Sequence, residues 1–188
     1  TRYMIARAVE HLATLRERRL DVTVAVNVSV NDLADDELVG ELLALVGDLG
    51  GQLVLEVTET DVMRDADVVL SSVRRLRERG IRISLDDFGA GHASFVYLRR
   101  MAPDELKIDR SFILELLDSP GDQAIVRSSI QLAHVLGATV TAEGIENAPT
   151  LDWLRQAGCD AAQGYHIARP MTPEAFYASD LLRTAAVL

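Results

Sequence analysis

Residues 66–88 read ADVVLSSVRRLRERGIRISLDDF, and their two halves follow different periods. The first half predicts a helix over Ala66 to Arg79, and Gly80 ends it, since glycine takes the left-handed conformation that closes a helix. The second half alternates. Ile83 and Leu85 fall on one face and Ser84 and Asp86 on the other, which predicts a strand over Arg82 to Phe88. A helix that stops at a glycine and turns at once into a strand is the unit from which the rest of the chain is read.

Moving outward, the same unit recurs. Met4, Ile5, Ala8, Leu12 and Leu15 repeat at helical spacing, and Val22, Val24, Val26 and Val28 then alternate. A helix ending near Leu49 precedes a strand over Leu53 to Thr60. Helices over Gln123 to Leu136 and Thr150 to Ala157 precede strands over Thr139 to Ile145 and Ala161 to Ile167. Gly50, Gly80, Gly137 and Gly158 serve as the helix stops. Glu105 to Arg110 supplies one further strand, and Thr172 with Pro173 caps a last helix.

Strands alternating with helices predict parallel pairing through right-handed crossovers, in an open doubly wound sheet or a barrel. Six strands in 188 residues fall short of the eight that close a (β/α) barrel. The expectation is an α/β, TIM-like (β/α) barrel with about six of its eight strands, forming a single domain over residues 1–188 that lacks its N-terminal strands. An open six-stranded sheet is the alternative.

On each strand one face is aliphatic, while the other carries small residues and one strong polar group near its C-terminal end. These groups are Asn27, Glu56, Asp86, Lys107, Glu143 and Gln163. Glu56, Asp86 and Glu143 each lie six residues beyond a helix-ending glycine, and Gln163 lies five, which places them at similar height around a C-terminal mouth. Asp87 adds a carboxylate that joins the ring only if the chain breaks from the strand there. Four carboxylates facing one cavity repel one another, and one lysine is too little countercharge. Hard divalent cations with oxygen ligands answer this, and a pair of ions about 4 Å apart suits displacement at phosphorus.

Composition narrows the class. The net charge of −10 excludes broad binding to polymeric nucleic acid or anionic membranes. The single cysteine, Cys159, excludes an intrachain disulfide framework and fits a cytoplasmic setting, although a longer parent protein could be anchored in a membrane. His11, His92, His134 and His166 lack ligand spacing and read as surface or structural.

In order along the chain, Asn27-Val28-Ser29, Glu56-Val57-Thr58-Glu59, Asp86-Asp87-Phe88-Gly89, Lys107-Ile108-Asp109-Arg110, Ala142-Glu143-Gly144-Ile145-Glu146 and Gln163-Gly164-Tyr165 resemble the motifs of the EAL domain family, from about Thr1 to Pro170. The resemblance implies two-metal hydrolysis of the bacterial messenger cyclic di-GMP to linear pGpG with Mg²⁺ or Mn²⁺. It implies metal ligands at Asn27, Glu56, Asp86, Asp87 and Glu143, with Lys107, Glu143 and Gln163 as the catalytic set. Lys107 would contact the attacking water or the phosphate, and Gln163 would orient water or a metal ligand. Glu59 is implied as the anchor of the loop from Phe88 to Ser94, and Glu146 as support for the ligands. A homodimer and neighbouring sensor or cyclase domains are further implications. The sequence departs from the family pattern in the Glu-Ala-Leu segment, which is absent ahead of these motifs. It departs also in the loop, where Ala90, His92, Ala93 and Phe95 stand in place of threonine, tyrosine, serine and leucine. The alternative reading is therefore a catalytically impaired receptor for cyclic di-GMP or a protein-interaction module.

Overall fold

All six strands expected from the alternation are present in the computed structural model, which describes residues 1–58, 66–90 and 95–182. The chain divides into two units, Thr1–Glu105 and Leu106–Leu188.

The first unit holds β1 (Val24–Asn27), β2 (Leu53–Thr58) and β3 (Arg82–Phe88). They lie side by side in that order, all parallel. The helix Arg2–Glu17 buries Ile5, Ala8, Val9, Leu12 and Leu15, the stripe that the helical spacing defines. On the strands Leu53, Leu55, Val57, Ile83 and Leu85 are almost wholly buried, each contributing roughly 1.5–3 kcal/mol of transfer free energy. Val54 and Ser84 on the opposite face are buried too, as expected of parallel strands, which are covered on both sides. The helix Ala66–Arg77 ends two residues short of the expected Arg79.

One helix stop is corrected. The helix Asp36–Val46 closes at Gly47, with φ 49°, and a 3₁₀ segment, Gly47–Gln52, carries the chain to β2. Gly50 is a glycine for a different reason. A Cβ there would lie 1.8 Å from the Arg79 carbonyl oxygen, so the position serves the close approach of two backbones and not a left-handed turn.

β4 (Glu105–Ile108) leads into the second unit, where β5 (Thr139–Ala142) pairs in parallel with β6 (Ala161–Ala162). The helix Pro120–Leu136 begins three residues before the expected Gln123, because the Ser119 hydroxyl caps the Asp122 amide and Pro120 occupies the first turn. Asn147 likewise starts the helix Ala148–Ala157 two residues early. Gly137 and Gly158 are the left-handed stops expected of them, and Thr172 caps Pro173–Ala178. β4, β5 and β6 all end sooner than alternation suggests, at Ile108, Ala142 and Ala162 instead of Arg110, Ile145 and Ile167. The polar residues that follow therefore stand on turns at the strand ends. Among the described residues no helix is long and apolar enough to cross a membrane.

Candidate functional site

In the first unit, register sets the polar groups. Asn27 is the Cα partner of Glu56, so the two side chains leave neighbouring strands at one level. Asp86 pairs with Thr58, one two-residue step beyond Glu56 on the same face. Register thus staggers Asp86 from Glu56 by one step of the pleat, an offset that spacing from the glycine does not reveal. Directly after Asn27 the chain is fixed by a capping box. The Ser29 hydroxyl accepts from the Asp32 amide, and the Asp32 carboxylate accepts from the Ser29 amide at 2.9 Å and the Ser29 hydroxyl at 2.7 Å. Burial pulls the Asp32 carboxyl upward, but the bonds from Ser29 and from the Thr1 hydroxyl outweigh it and leave the pKa below its ordinary value. The Ser-x-x-Asp spacing is the signal that the motif reading passed over.

Asp87 shows the break that its membership in the ring requires. Its φ is 55°, a left-handed backbone at the next-to-last residue of β3, tolerated by aspartate better than by most residues. Its amide donates to the Asp86 carboxylate at 3.1 Å, and its carbonyl accepts from Ala90. Phe88, buried behind it, holds the strand end in place while Asp87 faces outward. The donors of this rim are a neutral amide and three carboxylates, an all-oxygen set that fits hard divalent cations. Glu59 and the loop residues 91–94 lie outside the described residues.

In the second unit Lys107 is 5% exposed, and its Nζ lies 2.7 Å from a Glu143 carboxylate oxygen. A charge so deeply buried requires such a partner. Glu143 is positioned by its amide, which donates to the Ile108 carbonyl at 3.2 Å. Gln163 follows the two-residue β6, with its amide on the Ala142 carbonyl and its carbonyl accepting from Ile145. Its side chain is exposed and lines a cavity of about 240 Å³ together with Arg110, Glu143, Glu146 and Tyr165. Arg169 lies over the Tyr165 ring, 4.7 Å from its centre. His134 is structural, bound to Asp160 at 2.8 Å, and burial pushes the Cys159 thiol up to about 11, which leaves it unreactive.

These strand-end residues can be set beside known proteins. The model of the EAL domain matches residues 1–170. A cyclic di-GMP phosphodiesterase of Pseudomonas aeruginosa, PA2567, is 39% identical over 176 residues, covering 92% of this chain and 30% of that protein. The chain spans less than a third of the length of the curated relatives it matches. The phosphodiesterase PaMucR in complex with c-di-GMP superposes with a TM-score of 0.86 at 36% identity, over 93% of this chain and 72% of that one. The EAL domain of Mycobacterium smegmatis DcpA gives 0.90 at 31%, over 100% and 85%. The fold class is accordingly the α/β, TIM-like barrel class of these domains, represented here by six strands. With one family model running through both units and the ordered motifs falling at the strand ends, this chain belongs to the EAL domain family.

Proposed function

We propose that this chain is a cyclic di-GMP phosphodiesterase domain that hydrolyses the cyclic dinucleotide to linear pGpG, its two units acting as one EAL-type domain. The observation that carries the reading is the buried Lys107–Glu143 pair, within a chain whose relatives at 39% and 41% identity are named for this activity. Asn27, Glu56, Asp86, Asp87 and Glu143 would hold two divalent ions, Mg²⁺ or Mn²⁺, which when bound activate water and neutralise phosphate charge. The Lys107 ammonium, 2.7 Å from Glu143, is placed to contact the phosphate or the attacking water and to hold the charge that develops there. The Gln163 amide orients water at the cavity edge, and Glu146 and Glu59 support the ligands and the loop.

The protein containing this chain is proposed to be cytoplasmic on this side of any anchor, to dimerise, and to carry sensor or cyclase domains, as the bifunctional cyclase and phosphodiesterase MucR does by name. The test is conversion of cyclic di-GMP to pGpG with Mn²⁺. Turnover supports the reading. Nucleotide and metal bound without turnover would make the chain a receptor instead.

A further inference from the structure

We infer that Arg110 is the substrate-contacting cation of the second unit, holding a phosphate of the cyclic dinucleotide with its guanidinium fork; this deepens the phosphodiesterase reading and rests on it. Arg110 lines the 240 Å³ cavity beside Glu143, Glu146, Gln163 and Tyr165. Its place there is built. Gly144, the residue after Glu143, has φ 75°, and a Cβ on it would come within 2.7 Å of the Arg110 Cβ. The bare glycine backbone is what lets the arginine stem lie against the end of β5. From the other side the Asp109 carboxylate accepts from the Ser111 amide at 2.9 Å and from its hydroxyl, fixing the turn that carries Arg110.

Charge then singles out this residue. The Lys107 ammonium is matched by Glu143, and Arg169 is engaged with the Tyr165 ring. The Arg110 side chain takes no hydrogen-bond, ion-pair or ring partner among the described residues. Glu146 leaves the cavity otherwise acidic, in a chain of net charge −10. A substrate carrying two phosphodiester anions therefore needs a local cation with a fork matched to phosphate oxygens, and Arg110 provides one.

The experiment is steady-state hydrolysis of cyclic di-GMP by the protein with Mn²⁺, at several NaCl concentrations. Arg110→Ala is expected to raise KM about 10- to 100-fold and to flatten its dependence on salt, with kcat changed far less, because the contact persists from bound substrate to transition state. Arg110→Lys restores the salt dependence but only part of the affinity. Arg110→Gln, which keeps the stem against Gly144, behaves as the alanine variant while preserving Tm, and so separates binding from folding. Arg155→Ala, on an exposed arginine bound to Asp152, leaves KM unchanged. An active wild type whose KM and salt slope survive Arg110→Ala and Arg110→Gln overturns this inference alone. A wild type that neither binds nor hydrolyses the nucleotide overturns it together with the proposed function.

Discussion

In Thr1–Glu105 the strand ends offer Asn27, Glu56, Asp86 and Asp87, oxygen donors with no lysine among them, whereas Leu106–Leu188 pairs its strand-end carboxylate with a buried lysine 2.7 Å away. The two rims grow from the same helix–strand unit, yet their charge is handled differently. In the second, countercharge is part of the sequence, with the Lys107 ammonium 2.7 Å from the Glu143 carboxylate. In the first, three carboxylates, Glu56, Asp86 and Asp87, follow one another along two strands, and with Asn27 they make an all-oxygen donor set of the kind that suits a hard divalent cation. Under the proposed function the first rim would supply most of the metal ligands, and the second would add Glu143 together with the Lys107 ammonium, the group that faces phosphate and water.

That division can be broken most directly at Asp86 and Lys107. Asp86→Asn removes a carboxylate charge at constant shape. It is expected to lower turnover about 10³-fold or more and to weaken Mn²⁺ binding, read by calorimetry. Lys107→Ala is expected to cost about 10²- to 10³-fold in kcat while Mn²⁺ affinity is kept or rises, since Glu143 is then released from its ion pair. Lys107→Arg should rescue little, because a planar fork does not occupy a site made for a compact ammonium. Mn²⁺ affinity lost in Lys107→Ala and untouched in Asp86→Asn would reverse the assignment.

At the opposite ends of the strands the two units use one device. The Asp104 carboxylate accepts from the Ile83 amide at 2.8 Å while its own amide donates to the Ile83 carbonyl; Asp160 makes the same pair of bonds with Val140. Each carboxylate is then held by a side chain near the end of a helix, the Arg77 guanidinium in the first unit and the His134 ring in the second. Arg77 also ties down the carbonyls of Met101 and Ala102, while His134 makes a single contact. Asp104→Ala should therefore cost about 2–3 kcal/mol of stability by denaturant melts, and Asp160→Ala about 1–2 kcal/mol, both reduced by partial exposure. Equal costs would mean that the Arg77 network adds nothing beyond the clamp itself.

Much of this was legible beforehand, for physical reasons that differ by feature. Strand existence followed from alternation, because burial selects every second residue, as Val26 and Val28 against the exposed Ala25 and Asn27 show. Strand ends did not, because apolar residues such as Ile145 continue past a turn that glycine makes. The Asp87 break was readable from the glycines after it. The register of Asp86 on Thr58 was not, since pairing between strands is a long-range property that spacing within one strand does not fix. The clamps at Asp104 and Asp160 were passed over, although each aspartate directly precedes a strand. Lys107 carried a further signal: among 19 lysines and arginines it is the only lysine, a compact ammonium where the rest of the chain uses guanidinium.

The smallest expected effect sharpens the comparison at the first rim, where the Ser29–Asp32 box sets the chain directly after Asn27. The Asp32 pKa is lowered in the folded protein, so its contribution is present above its ordinary value of 3.8 and is lost as pH falls through the lowered native value. Asp32→Asn should cost about 0.5–1 kcal/mol at pH 7. Its melting curve should converge with that of the wild type in acid, where the carboxylate is protonated and the amide loses nothing by comparison. The same variant should weaken Mn²⁺ binding slightly at pH 7, because the turn that aims Asn27 is loosened, whereas Asp160→Ala, at the far ends of the strands in the other unit, should leave Mn²⁺ binding as it was. A gap in stability that stays constant from pH 7 down to pH 3 would show that Asp32 acts through the shape of its side chain and not through its charge.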